Sequence, residues 1–194
     1  MYDEKWKQLE EEIVNCRRCS LWKTRNNPVM GEGSKYAKVM FIGEAPGYWE
    51  DVKGKPFVGK AGALLDELLK SINLRRDVVY IANILKCRPP GNRNPLQNEI
   101  KACTPYLDQQ IELLHPKVVA TLGNFALSYI FEKFELKQES VGRVHGELFP
   151  VKTLFGDLTI IPLYHPAAAV YNPALKETLL KDVTSVKRVF DEKK

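Results

Sequence analysis

The sequence predicts a three-layer α/β/α sandwich around a central, mostly parallel sheet of about four strands. Three observations carry this expectation. Short apolar segments alternate with longer segments of helical period. The spacing between them suits crossovers that return each strand parallel to the one before. At 194 residues, the chain is the size of one domain that buries a sizeable core.

Each element has its own signal. The start reads as a helix with Trp6, Leu9 and Ile13 on one face, stopping near Cys16. A polar stretch with Pro and Gly runs from there to Tyr36. Lys38–Ile42 is a short apolar strand. Ala61–Ile72 is helical, with Leu64, Leu65, Leu68, Leu69 and Ile72 on one stripe. Val78–Leu85, rich in β-branched residues, is a strand. Pro95–Leu114 is a long helix with Asn94 as its cap, Pro95 in its first turn and Pro105 as a candidate kink. Its inner stripe is Ile100, Cys103, Leu107, Ile111 and Leu114. Lys117–Leu122 is a strand and Asn124–Phe134 a helix. Val144–Phe149 and Leu158–Tyr164 are strands, partly paired as a hairpin. Ala174–Phe190 closes the chain as a helix facing inward with Leu175, Leu179, Val183, Val186 and Phe190.

Hydrophobic residues make up 44% and charged residues 27%, which argues against a disordered or fibrous chain. No apolar run approaches the roughly 18 residues of a membrane span. The charged start lacks the apolar region of a signal peptide, so the expectation is a cytoplasmic protein with reduced thiols. The net charge of +5 is modest, but its distribution is uneven. Residues 13–31, 78–98 and 158–176 contain no acid. A polyanion needs a surface free of carboxylates, and these windows offer one. The plainer alternative is that two of them include buried strands.

The windows also hold Cys16, Cys19, Cys87 and His165. With Cys103, the cysteines form the pattern Cys16-x2-Cys19, Cys87, Cys103. A structural disulfide does not suit a reducing compartment. Four unrelated buried thiols are the bland reading. Against it, Cys16 and Cys19 lie in a polar loop flanked by arginines. Four thiolates suit a tetrahedral zinc or an iron–sulfur cluster, and spacing alone does not choose. Either would tie segment 1–36 onto a single domain spanning 1–194.

Open α/β sheets bind ligands at the carboxyl ends of their strands. That rule singles out Gly43–Gly47, Asn83–Cys87, Gly123–Asn124 and Tyr164–Ala169. Gly43-Glu44-Ala45-Pro46-Gly47 allows a tight turn with exposed backbone N–H groups. Phe57, in the run Lys55–Gly62, is either a core anchor or a stacking platform for a base. Asn83 ends an apolar strand, where its amide needs partners; it is a turn residue or reads an amide-like ligand edge. His165 begins His165-Pro166-Ala167-Ala168-Ala169-Val170, a small-residue loop that permits close approach to a ligand.

Together these motifs and the four cysteines resemble the family 4 uracil-DNA glycosylases. No single motif is decisive, but their order and spacing are specific, and the resemblance covers the chain from Cys16 to the last helix. It implies a [4Fe–4S] cluster on Cys16, Cys19, Cys87 and Cys103, with zinc as the alternative. It implies a pocket in which Phe57 stacks on a flipped uracil and Asn83 reads its N3–H and O4. His165 would hydrogen-bond O2, Glu44, Ala45 and Pro46 would line the pocket, and Glu50 would lie near C5. The loop 166–170 would press into the DNA. The best-known uracil-DNA glycosylases carry a water-positioning carboxylate where this chain has Ala45. Glu44 is then either a water-holding group or a structural partner of His165. The family's fifth branch has an apolar residue in place of Glu44. The implied partner is uracil-containing DNA, single- or double-stranded, met by a prokaryotic, nucleoid-associated monomer, with a sliding clamp as a candidate protein partner and no membrane. The rival reading is a non-enzymatic iron–sulfur DNA-binding accessory protein, which would not need Phe57, Asn83 and His165 together.

Overall fold

The computed structural model describes residues 2–192. Its sheet has six strands in the order β1-β3-β2-β4-β6-β5. These are β1 (Glu32–Gly33), β2 (Val39–Gly43), β3 (Tyr80–Asn83), β4 (Val118–Leu122), β5 (Phe149–Thr153) and β6 (Gly156–Leu163). The four inner strands, β3, β2, β4 and β6, are parallel, as the alternation of segments predicts. The two edges are added antiparallel, so the sheet has six strands where about four were expected.

The pleat separates the core into two layers. Met40, Ile42, Ala82 and Val119 point to one face, against α1 (Tyr2–Val14), α4 (Gln97–Leu114) and α5 (Asn124–Lys133). Val39, Phe41, Ile81 and Ala120 point to the other, against α3 (Lys60–Ser71) and α8 (Pro173–Glu192). Strands buried on both faces are apolar throughout, which is why they read as runs rather than as alternating patterns. The helices present the expected stripes. Trp6, Leu9 and Ile13 are buried on α1, and Leu64, Leu65, Leu68 and Leu69 on α3. On α8 the buried apolar stripe is Leu179, Val183, Val186 and Val189, with Leu175 and Phe190 partly covered. Among the described residues no helix is long and apolar enough to cross a membrane.

Two elements differ from expectation in their bounds. The segment 144–149 is not a strand. Val141 and Val144, three apart and both buried, form one helical turn, α6 (Val141–Val144); Gly146 then turns with φ +75°, and the edge strand starts only at Phe149. The hairpin partner of β6 is therefore β5. Helix α4 begins at Gln97 rather than Pro95. Its end is set by Glu99, whose carboxylate accepts from the Leu96 N–H at 2.9 Å, in place of the Asn94 cap. Pro105 lies inside α4 without ending it. The remaining short helices are α2 (Tyr48–Lys53) and α7 (Pro166–Ala169).

The αβ packing contains one tight contact with consequences for the site. A Cβ at Gly62, on α3, would collide with the backbone carbonyl of Phe57. Gly→Ala in a helix interior ordinarily stabilises by up to about 1 kcal/mol. Here Gly62→Ala is expected to lower the urea midpoint, with little change in its slope.

Candidate active site and cysteine centre

The expected pocket exists at the carboxyl edge of the parallel strands. Its volume is about 410 Å³, a normal size for a small-molecule site. Glu44, Ala45, Pro46, Glu50, Phe57, Asn83 and His165 all line it. A larger hollow of about 670 Å³ around His115 and Phe155 lies at the opposite, amino ends of the strands. The smaller pocket is the one that gathers an orphaned amide, an aromatic face and an imidazole.

Asn83 is the last residue of β3, beside Gly43 of β2. It is 2% exposed, and among the described residues its Oδ1 has no hydrogen-bond partner. A buried acceptor without a partner costs about 1–3 kcal/mol, so this atom is poised for a ligand donor. Gly43 is needed here. A Cβ at that position would meet Asn83 Oδ1 and come within 2.7 Å of Phe57 Cζ.

Phe57 is buried in a left-handed conformation, φ +51°, that non-glycine residues rarely adopt. Three groups hold it there. Arg76 donates to the carbonyls of Pro56, at 3.0 Å, and Phe57. Glu50 Oε1 accepts from the N–H groups of Val58 and Gly59 at 2.9 and 3.0 Å. Gly62 leaves room for the Phe57 carbonyl. Strain of this kind, fixed by its surroundings, is characteristic of functional sites.

His165 stacks on Phe57, with ring centroids 5.6 Å apart and 26° between planes. Gly123, at φ +86°, packs under it; a Cβ there would lie 3.1 Å from the His165 Cβ. The Nδ1 accepts from the Ala167 N–H at 3.1 Å. That bond leaves the proton of the neutral ring on Nε2. Burial pushes the His165 pKa down to about 4, against a smaller upward pull from Glu50, so the ring is neutral at ordinary pH. Among the described residues the Glu44 carboxylate makes no hydrogen bond or ion pair, and burial raises its pKa. It is therefore not bonded to His165, and its carboxylate is available to a water.

Sequence reasoning missed several contributors. Pro89, Asn92 and Arg93 also line the pocket. Arg93 is held by the fully buried Glu99 through two bonds of 2.6 and 2.9 Å. Asn124, flagged at a strand end, instead accepts from the Val141 N–H and orders the turn at α6.

The four cysteines line one cavity, together with Arg25, Lys86 and Tyr106. Cys16 and Cys19 come from the loop after α1, Cys87 from the segment after β3, and Cys103 from α4. Three sulfurs receive N–H groups: Cys16 from Arg18 N at 3.5 Å, Cys87 from Arg25 Nη1 and Cys103 from Lys86 N, both at 3.1 Å. Burial raises the thiol pKa of Cys19 and Cys87, and that of Cys103 to about 12. Among the described residues no three His, Cys, Asp or Glu side chains converge tightly enough for a single metal ion. Four cysteine side chains around one cavity are a donor set that suits a metal centre.

The adjoining Lys86 is 1% exposed. Its ammonium donates to the Asn83 carbonyl at 2.9 Å and to Gln110 Oε1 at 2.6 Å. Burial lowers its pKa to about 8.

Comparisons with known proteins identify the family. The model of the uracil DNA glycosylase superfamily matches residues 30–185, from just before β1 into α8. The chain belongs to the uracil-DNA glycosylase superfamily. Within it, the chain is 47% identical over 186 residues to the type-4 uracil-DNA glycosylase of Saccharolobus solfataricus, covering 95% of this chain and 86% of that one. The corresponding enzyme of Sulfurisphaera tokodaii is 45% identical over 183 residues, covering 94% and 83%. That of Archaeoglobus fulgidus is 45% identical over 185 residues, covering 95% and 93%. These relatives place the chain in the type-4 branch and make it a uracil-DNA glycosylase.

In this family setting, the carboxylate of Glu50 has a task beyond lining the pocket: it holds the loop that carries Phe57. Glu50→Ala is expected to lower kcat/KM on a uracil oligonucleotide by about tenfold or more, the scale of a lost charge-assisted hydrogen bond. Glu50→Gln, which keeps an acceptor for the two N–H groups, is expected to retain most of the rate.

Proposed function

We propose that the chain repairs DNA by drawing uracil out of the stack into the carboxyl-edge pocket and hydrolysing its N-glycosidic bond, which leaves an abasic site. The observation that carries this reading is the buried, partnerless Oδ1 of Asn83 beside the Phe57–His165 stack. The base has to leave the helix because its glycosidic bond is out of reach inside a duplex.

Uracil then lies on Phe57. Asn83 Oδ1 accepts from N3–H and its Nδ2 donates to O4. Cytosine offers the reverse pattern and would leave buried groups unpaired, a mismatch worth a factor of about 10⁴. As the C1′–N1 bond breaks, its electron pair moves onto the base and spreads to O2. His165 Nε2–H donates to O2 as that charge develops, in a dry site where such a donor is most effective. A neutral imidazole suits this task, because it stabilises the anion without first giving up a proton. Water adds to C1′ from the side of Glu44, whose carboxylate orients it and takes its proton. Arg93 at the rim and the loop 166–170 face the DNA strand, and the acid-free windows supply much of this surface.

Cys16, Cys19, Cys87 and Cys103 would hold a [4Fe–4S] cluster. All four positions are cysteine, so the group supplies a structural tie and offers no open ligand position to substrate. A brown preparation with broad visible absorption and iron matched by acid-labile sulfide is expected. A colourless preparation replete with zinc would overturn that assignment.

The activity is tested with a uracil-containing oligonucleotide, single- or double-stranded, followed by alkaline cleavage of abasic sites; absence of strand breaks would sink the reading. Asn83→Ala and His165→Ala are each expected to remain folded and to lose about 10²-fold or more, the scale of one lost transition-state donor. Depression of the folded His165 pKa means that protonation of this ring costs stability only as pH falls from about 6.5 toward about 4. Nitrogen NMR is therefore expected to find His165 neutral, with its proton on Nε2, down to about pH 5.

A further inference from the structure

Beside the pocket lies a solvent-facing aromatic pair that the excision chemistry leaves unused. Tyr48 and Trp49 open α2, directly after the Gly43–Gly47 turn. They are 50% and 55% exposed, whereas most of the large apolar side chains are buried. Their rings meet edge to face, with centroids 5.1 Å apart at 79°. Such a pair gives up little by remaining ordered in water and offers flat apolar area to a partner.

The pair is joined to the pocket by a continuous set of contacts. The guanidinium of Arg88 sits over the Tyr48 ring, 5.1 Å from its centroid. Arg88 Nε donates to Asn92 Oδ1 at 2.7 Å. Asn92 is itself part of the pocket rim. On the other side, Trp49 leans over Gly59, where a Cβ would come 3.8 Å from its Cδ1, and Gly59 belongs to the loop that Glu50 holds. The ledge therefore has fixed anchors at both ends. Arg88 lies in the acid-free window 78–98, so a phosphate chain running along the ledge meets a cation and no carboxylate from that window.

We propose that Tyr48, Trp49 and Arg88 form a stacking subsite for an unpaired base that flanks the uracil on the same strand. Rings that present a face to solvent beside a cation are what sequence-tolerant binding of single strands uses, because every base has a π-face. In a duplex, the neighbouring base is stacked and paired and cannot lie on the ledge. The subsite thus favours uracil in single-stranded DNA. This rests on the uracil-pocket reading above and adds to it the conformation of the strand that enters.

The test compares two single-stranded oligonucleotides. One carries uracil between ordinary nucleotides; the other has tetrahydrofuran abasic spacers on both sides of the uracil. The double variant Tyr48→Ala/Trp49→Ala is expected to raise KM on the first by about tenfold or more, the scale of one lost stacked base, with kcat unchanged. On the second it is expected to match the wild type. Equal KM values on the first oligonucleotide, or equal losses on both, would overturn the subsite. A second measurement works without excision. Oligothymidylate, which contains no uracil, is expected to quench wild-type tryptophan fluorescence, and the quenching should vanish in Trp49→Leu; unchanged quenching in that variant overturns the subsite. If the wild type excises no uracil, the pocket reading falls, and the fluorescence titration still decides the ledge.

Discussion

A buried ammonium ion joins the two chemical centres of this molecule. Lys86 follows β3, and among the described residues no carboxylate pairs with it. Its charge is instead met by the Asn83 carbonyl and the Gln110 amide oxygen, while its own N–H donates to the Cys103 sulfur. Burial lowers the Lys86 pKa, and the neighbouring Cys103 and Cys87 act in the opposite direction. Gln110 continues the network to the Met30 carbonyl and the Tyr80 hydroxyl. Buried donors and acceptors tolerate little displacement, since each lost bond leaves a desolvated group behind. The end of β3, the cysteine cavity and helix α4 are therefore held in one geometry, and Asn83 inherits its position from that network.

The pocket is shaped as much by missing side chains as by present ones. Gly43 admits the Asn83 amide and the Phe57 ring, Gly62 admits the Phe57 carbonyl, and Gly123 admits His165. Around these spaces the polar groups are fixed in advance. Glu50 and Arg76 immobilise the Phe57 loop, and the Ala167 N–H sets the His165 tautomer. A site built this way does little rearranging when charge develops on a bound base, which is the physical source of electrostatic catalysis.

The parallel core was legible because burial on both faces leaves an apolar run, and the helices because their stripes repeat with the helical period. The pocket residues were legible because a polar or flexible residue at the end of an apolar strand stands out, as Asn83 and Gly43 do. The cysteines stood out for the opposite reason, two thiols in a polar loop. What stayed hidden depends on partners distant in sequence. Nothing near Arg76 announces that it holds Phe57, and nothing near Lys86 announces Gln110. The edge strands were misjudged because β1 has only two residues and because Val144, read as the start of a strand, instead ends a helical turn with Val141. The start of α4 was misplaced because its capping carboxylate, Glu99, is buried by tertiary contacts.

The cysteine cavity also bears on how the chain is made. Its walls come from the first helix's trailing loop, from the end of β3 and from the middle of α4. Synthesis proceeds from the N-terminus, so Cys16 and Cys19 emerge well before Cys103. Without α4, the early pair has no complete cavity to line. The last wall to arrive belongs to the same helix that supplies Gln110, the brace behind Lys86 and Asn83. One helix thus completes both the cysteine cavity and the network behind the base-edge strand.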